Sequence, residues 1–482
     1  MHHPAIQRAV HRRAFLSGTS VGLGATALSL LLGRDGYHAG AAERELGTTY
    51  RGLPGLPHHA ARAKRVIFLY MAGGPSHLET FDYKPILAEM HGKPMPASYT
   101  AGQPIAQLQG QELKCQGPLT KFHRYGTNGQ EISDFLPWHA KMADDICIVR
   151  SMVTAQINHD PAHTLMNTGT PIAGRPAMGS WINYGLGSES DDLPGFVVMT
   201  SVGGRNPQPI ATRQWSAGFL PVRFQGVEFH STGDPVNYLR SPAGVQPNQQ
   251  RDLIDAIGQL NAQHHQSLPD PEIEARIAAY EMAFRMQTSI PELLDFSDEP
   301  KHVLELYGAR PGDGSFASNC LLARRLAERG VRFIQLYHRG WDHHGDLVNY
   351  MNICCGLTDR PTYALIQDLK QRNMLDDTLI IWGGEFGRTP MFQGKGGVGR
   401  DHHIKGFSIW LAGAGIRGGM TYGATDELGY HSVENIVHVR DLHATMLHLL
   451  GIDHRLLNVR YQGLDLRLTG VEPAHVVHDI LT

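Results

Sequence analysis

Residues 331–346 read Val331-Arg-Phe-Ile-Gln-Leu-Tyr337, then His338-Arg-Gly-Trp-Asp-His-His-Gly-Asp346. The first half is a short apolar run rich in strand formers, and the second is a Gly-containing turn crowded with imidazoles and carboxylates. Just upstream, Ala317 to Arg329 carries its apolar residues at helical spacing. Helix, buried strand and polar loop, in that order, form one unit of a sheet whose chemistry collects beyond its strand ends.

Similar units recur outward from this stretch. Apolar runs occupy Arg65 to Tyr70, Ile146 to Val149, Phe196 to Met199, Thr378 to Trp382 and Phe407 to Leu411, with helical patterns at Pro361 to Leu375 and Val439 to Leu450. The alternation predicts an α/β fold, a mainly parallel central sheet with helices on both faces. Residues 85–140, rich in Pro, Gln and Gly, and 203–310, a loop followed by a helical stretch around Leu253 to Met286, break the pattern. They read as inserted loop and helical segments of one domain spanning 65–482, with 42–64 as a lead-in. No internal repeat is visible.

The chain has 482 residues, 41% hydrophobic and 18% charged, with a formal charge of -3. That profile suits a folded globular protein with a large core and argues against disorder or a membrane-spanning body. Near the N-terminus, His11-Arg12-Arg13-Ala14-Phe15-Leu16 precedes an uncharged stretch from Ser17 to Gly33 and then Ala39-Gly40-Ala41. This reads as a twin-arginine export signal over residues 1–41, implying passage through the twin-arginine machinery to the periplasm or cell surface. A permanent span is disfavoured, because Gly and Ser interrupt the apolar run and it falls short of the ~20 residues a span needs. Cleavage would remove Arg8, Arg12, Arg13 and Arg34 against Asp35, moving the formal charge from -3 to -6. A nucleic-acid partner is not suggested. The five cysteines, with no CxxC pair, read as buried thiols.

Four clusters carry the chemistry. His338 to Asp346 holds three histidines and two aspartates in nine residues, with Asp342 and His344 as ligand candidates. Mixed nitrogen and oxygen donors suit zinc, manganese or iron better than calcium or magnesium. A solvated polar loop is the ordinary alternative. Gly383-Gly384-Glu385-Phe386-Gly387-Arg388 places a carboxylate and a guanidinium past another strand. Glu385 reads as a metal ligand and Arg388 as a clamp for an anionic ester, with a salt bridge within the turn as the alternative. Gly399-Arg400-Asp401-His402-His403 adds three ligand candidates, one His being second to the ion. Asn158-His159-Asp160-Pro161-Ala162-His163 enters a helix, where His159 serves metal, substrate or merely the helix cap. More loosely, Ser76, His77 and His163 read as substrate-binding, and Asp82 lies nearby. The sequence has no P-loop.

Taken together, Met71-Ala-Gly-Gly-Pro-Ser-His77, Arg175-Pro-Ala-Met-Gly-Ser-Trp181, Gly340 to Asp346, Gly384 to Pro390, Gly399 to His403 and Asp441 to Gly451 make residues 45–481 resemble domain-of-unknown-function family 1501. That family is sulfatase-like and sits in the alkaline phosphatase superfamily. The resemblance implies an alkaline phosphatase/sulfatase-like sheet and a site of one or two divalent ions acting on sulfate or phosphate esters. Two departures stand out. Gly73-Gly74 replaces the paired aspartates that sulfatases carry after the first strand, and His159-Asp-Pro-Ala-His163 occupies the nucleophile segment, so formylglycine chemistry is excluded there.

The expectation is therefore an exported hydrolase that activates water with a metal held by Asp342, His344, Glu385, Asp401 and His402 or His403. His159 would be a ligand, general acid or covalent nucleophile, Arg388 would neutralise the substrate, and the ester could belong to a sulfated polysaccharide. The rival is a non-catalytic, metal-stabilised protein that binds sulfated glycan or a cell-surface partner.

Overall fold

The computed structural model describes residues 50–482 apart from 206, most of 237–270, and 395–397. The expected export signal and Leu253 lie outside the described residues. Residues 50–459 with 465–482 fall in one compact unit, and 460–464 fall outside it. The sheet and all four polar clusters belong to that unit.

In chain order the elements that matter are β1 (Arg65–Ala72), β2 (Ile146–Val153), α1 (His159–Thr168), α2 (Met178–Leu186), β3 (Phe196–Thr200), β4 (Val227–His230), α3 (Phe316–Glu328), β5 (Phe333–Arg339), α4 (Leu347–Gln371), β6 (Thr378–Gly383), β7 (Gly387–Arg388), β8 (His402–His403), β9 (Phe407–Ala412), β10 (Met420–Tyr422), β11 (Val437–His438) and α5 (Val439–Leu449). Nine strands make one sheet in the order β10-β2-β9-β6-β1-β5-β3-β4, with β11 also paired to β2. Every pairing is parallel except those of β9, which runs against both β6 and β2.

β1 sits near the centre, and the period of two along it explains both layers. Ile67, Leu69 and Met71 join one buried cluster with Leu321 and Leu326 of α3 and Met351 and Leu365 of α4. Val66, Phe68 and Tyr70 join the opposite cluster with Met166 of α1, Trp181 of α2 and Leu442 and Met446 of α5. Each such side chain contributes roughly 1.5–3 kcal/mol by leaving water. Helices therefore cover both faces, as the alternation predicts. Across the β6–β9 pair, Trp382 and Trp410 are register partners and stack with centroids 6.3 Å apart.

Two readings of the sequence differ from the structure. Pro361 does not begin a helix but lies inside α4. An interior proline costs about 3 kcal/mol, but Leu347, Met351, Cys354 and Cys355 before it and Leu365 and Leu369 after it are all buried in one core, and that packing prevails. The stretch 203–310 is not wholly an insertion, since it contains β4, which extends the main sheet beside β3. Residues 85–140 form short helices at Pro85–Glu89 and Ala97–Thr100 and a hairpin, Phe122–Tyr125 with Gln130–Ser133. Leu87, Met95, Leu108 and Cys115 of this stretch pack on Met391, just beyond β7. All five cysteines are free and buried. Among the described residues no helix is long and apolar enough to cross a membrane.

One buried ion pair anchors the loop before β8. The Arg400 guanidinium donates to both oxygens of Glu79, at 2.7 and 2.9 Å, and to the carbonyls of Gln116, Gly117 and Thr389. Both side chains are fully shielded from solvent. Removing one partner would leave the other charge buried alone, which costs about 3–5 kcal/mol. Glu79→Gln is accordingly expected to lower stability by about that much, read as a shift of the urea midpoint at unchanged slope. A midpoint within error of the parent would refute the pair's anchoring role.

Candidate metal centre

Parallel strands β1, β5 and β6 lie side by side, so their C-terminal ends open toward one edge of the sheet. Asp342 and His344 follow β5, and Glu385 and Arg388 follow β6. β8 pairs antiparallel with β7, His402 opposite Arg388, and so brings His402 to the same edge. His159 is the first residue of α1.

Asp342 Oδ1 is the point of convergence. It lies 2.6 Å from Arg388 Nη2, 2.9 Å from His344 Nε2, 3.1 Å from His159 Nε2 and 3.2 Å from His402 Nε2. The other ring nitrogen of each histidine is committed elsewhere. His159 Nδ1 donates to Glu385 Oε1 at 2.7 Å, His344 Nδ1 to Gln393 Oε1 at 2.7 Å and His402 Nδ1 to the Ile157 carbonyl at 2.8 Å. Those acceptors place the imidazole proton on Nδ1, so in the neutral ring each Nε2 offers a lone pair. Three lone pairs then face one carboxylate oxygen, and His344 Nε2 is only 3.0 Å from His402 Nε2. A cation among these four atoms turns that mutual repulsion into ligation, and each imidazole already has the outer partner that metal-bound histidines use. His159, Asp342, His344 and His402 each present a ligand atom within 4.8 Å of the others. Three nitrogens and a carboxylate oxygen make a donor set that fits zinc or a similar transition ion.

The surrounding charges pull these groups in different directions. Burial disfavours charge on Asp342, but the Arg388 guanidinium and the neighbouring imidazoles outweigh it and hold the carboxyl far below the usual range. Burial also opposes charge on His159, yet Asp342 and Glu385 raise its pKa above the ordinary value. His402 goes the other way, burial drawing it down to about 4.

Glu385 stands behind this group. Its carboxylate is fully buried, accepts from the Gly73 amide at 3.0 and 3.2 Å, and lies 3.5 Å from His163 Nδ1. With His159 and His163 it forms a second cluster of possible ligands that shares His159 with the first. Gly73 has φ +122°, and a Cβ there would come within 2.5 Å of the Asp342 amide nitrogen. Only glycine lets β1 end this close to the Asp342 loop.

Several expected residues are placed elsewhere. Asp401 does not join the cluster; its Oδ2 accepts from the Gln107 and Leu108 amides at 2.7 and 3.0 Å, and Oδ1 from the His402 amide. His403, beside His402 on a strand, points to the opposite side, where Nε2 donates to the Tyr430 carbonyl. Arg388 does not face a substrate. Fully buried, it donates to Asp342 and to the carbonyls of Gly73, Gly74, Trp341 and Arg400. Ser76 donates to Glu79, His77 to the Gly429 carbonyl at 3.0 Å, and both are buried. His163 is buried with Nδ1 2.8 Å from the Tyr70 hydroxyl, so none of these three reaches solvent to bind substrate.

Sequence reasoning missed Gln208, whose amide donates to Asp342 Oδ2 at 2.7 Å, Gln107, 3.2 Å from His344 Nε2, and Gln393. Gln107 and Gln208 come from segments read as insertions, and no local pattern distinguishes them from other glutamines. Phe386 packs on the His159 and His402 rings at 4.9 and 4.6 Å.

Solved structures of low identity align with the chain. The lipoteichoic acid synthase LtaP from Listeria monocytogenes is 10% identical over 84% of this chain and 76% of its own, with a TM-score of 0.35. The PsFucS1 sulfatase from Pseudoalteromonas sp. is 12% identical over 84% and 71%, with a TM-score of 0.34. A TAB5 alkaline phosphatase mutant with Mg bound in its M3 site is 12% identical over 75% and 94%, with a TM-score of 0.29. No curated protein matches significantly. The profile described as "Protein of unknown function (DUF1501)" matches residues 63–481, nearly the whole described chain, and the protein belongs to that family.

Proposed function

We propose that this protein is an exported, metal-dependent hydrolase of sulfate or phosphate esters. The observation that carries the reading is the convergence of the His159, His344 and His402 Nε2 atoms on Asp342 Oδ1. These four residues would hold one divalent ion, with zinc, manganese or iron favoured by the donor set. When bound, such an ion supplies Lewis acidity, drawing charge from an ester oxygen and making water a usable nucleophile near neutral pH.

The protein's own groups set up the rest. Glu385, Gln393 and the Ile157 carbonyl keep each imidazole proton on Nδ1 and each Nε2 free. Arg388 balances the Asp342 charge from within the fold rather than binding the ester. Gln208 and Gln107, partly exposed beside Asp342 and His344, supply amide N–H donors that an ester oxygen could accept. The fully buried Glu385–His163–Tyr70 chain lies on the inner side and keeps His159 oriented. Residues 1–41 carry the export half of the proposal, with the periplasm or cell surface as destination.

A second reading is a non-catalytic, metal-stabilised protein that binds sulfated glycan or a cell-surface partner. One observation favours it: Arg388, the cation nearest the centre, is occupied by Asp342 and backbone carbonyls.

Metal analysis of protein purified without chelator is expected to give about one ion per chain. Chelation should lower the melting temperature, and Asp342→Asn should lose both the ion and the stabilisation. Aryl sulfates and phosphates should be turned over only by the metal-loaded parent; a folded, metal-loaded protein inactive on every ester would leave the binding reading. Glu385→Gln keeps the shape but weakens the acceptor on His159 Nδ1, so metal affinity should fall about 10–100-fold. Unchanged affinity would remove Glu385 from the centre. Arg12→Lys with Arg13→Lys should retain the protein in the cytoplasm of an expressing host; export of that variant would contradict the twin-arginine assignment.

A further inference from the structure

A cavity of about 850 Å³ shares helix α1 with the metal centre, and none of the four converging residues lines it. Its walls come from the chain after β2, including Thr154 and Gln156, from the second half of α1, and from Lys405 just beyond β8. Leu165 on this wall is six residues along α1 from His159, a rise of about 9 Å at helical pitch. The cavity and the centre are thus neighbours joined by a rigid element.

The charged lining is mostly cationic. Arg175, Lys405, Arg440 and Arg467 face two carboxylates, Asp465 and Glu472. Among the described residues none of these four cations has a carboxylate partner, although Arg440 Nε donates to the Pro473 carbonyl at 2.6 Å. Arg175 Nη1 and Thr154 Oγ1 are buried without any hydrogen-bond partner. Buried donors are costly to leave unmade, and an unpartnered guanidinium N–H lining a cavity points to an anionic ligand. Between the cations the wall is apolar, with Val153, Phe219, Ile436 and Val439. Apolar surface interleaved with cations matches a sugar ring bearing sulfate, which presents C–H faces beside fixed charges, better than a small hydrated anion. The volume exceeds that of a single ring and falls in the range of sites for extended ligands.

We propose that this cavity is a subsite for a charged saccharide unit, so that the substrate of the adjacent centre is a sulfated oligosaccharide rather than a small ester. The inference rests on the hydrolase reading above. One unit is gripped by Arg175 and its neighbours, while a sulfate ester on another unit lies at His159 and His402.

Calorimetric titration of the full chain with dextran sulfate, and with neutral dextran of the same length, tests it. Dextran sulfate should bind and neutral dextran should not. Arg175→Gln with Arg467→Gln should weaken binding about tenfold. Ile172→Glu, a cavity-lining position 61% exposed and outside the core, adds a repelling charge and should weaken it without affecting folding. Equal binding of neutral dextran, parent-like affinity in both variants, or displacement by inorganic sulfate at matched sulfate concentration would overturn the proposal. Turnover of a small aryl ester without polymer binding would remove the subsite and leave the hydrolase. Polymer binding without turnover of any ester would remove the hydrolase and leave the subsite.

Discussion

One carboxylate oxygen, Asp342 Oδ1, organises this protein. Burying a carboxylate is expensive unless it is paired and hydrogen-bonded, and here a guanidinium and three imidazoles surround it. Each of those partners comes from a different stretch of chain, so the arrangement exists only if β5, β6, β8 and α1 meet at one edge of the sheet. The parallel register of β1 with both β5 and β6 supplies that meeting point.

Around that oxygen the fold spends its cations inwardly. Arg388 ties the ends of β1 and β5 together through the Gly73, Gly74 and Trp341 carbonyls, and Arg400 ties the loop before β8 to Glu79 beyond β1. Buried guanidinium groups with several carbonyl partners fix loop geometry because each unmade bond would leave a desolvated charge. The loops at this edge are therefore tied to the strand ends, and a site that positions ligand atoms to within about half an ångström needs such support. The same logic leaves no free arginine among the four converging residues. The cations of the proposed subsite lie in the cavity beyond α1, so on these two proposals metal ligation and anion binding would be divided between two places.

Much of this was legible along the chain. Short apolar runs followed by Gly-containing polar loops marked β1, β5 and β6 and the edge where their ends gather, because strand period and turn chemistry are local properties. Asp342, His344, His402 and His159 stood out for the same reason, as ligand-type side chains directly beyond buried segments. The roles of their neighbours were not legible. Asp401 and His403 carry the same side chains as true members of the cluster, and only the alternation of a two-residue strand and the loop at Gln107 and Leu108 turn them away. Arg388 reads as an anion clamp until its five acceptors are seen. Pro361 reads as a helix start because its cost is local, while the burial that overrides it is not.

The sequence by itself determined the alternation of elements, the polar loops at strand ends and the residue types available to bind metal, since each depends on neighbours within a few positions. Tertiary structure alone decided which of those side chains converge. It also assigned Gln107 and Gln208 to the centre, set Glu385 behind His159, and gathered Arg175, Lys405, Arg440 and Arg467 around one cavity. The reason is physical: convergence depends on how strands pair and which way a side chain points from them, and those are relations between segments that lie up to several hundred residues apart.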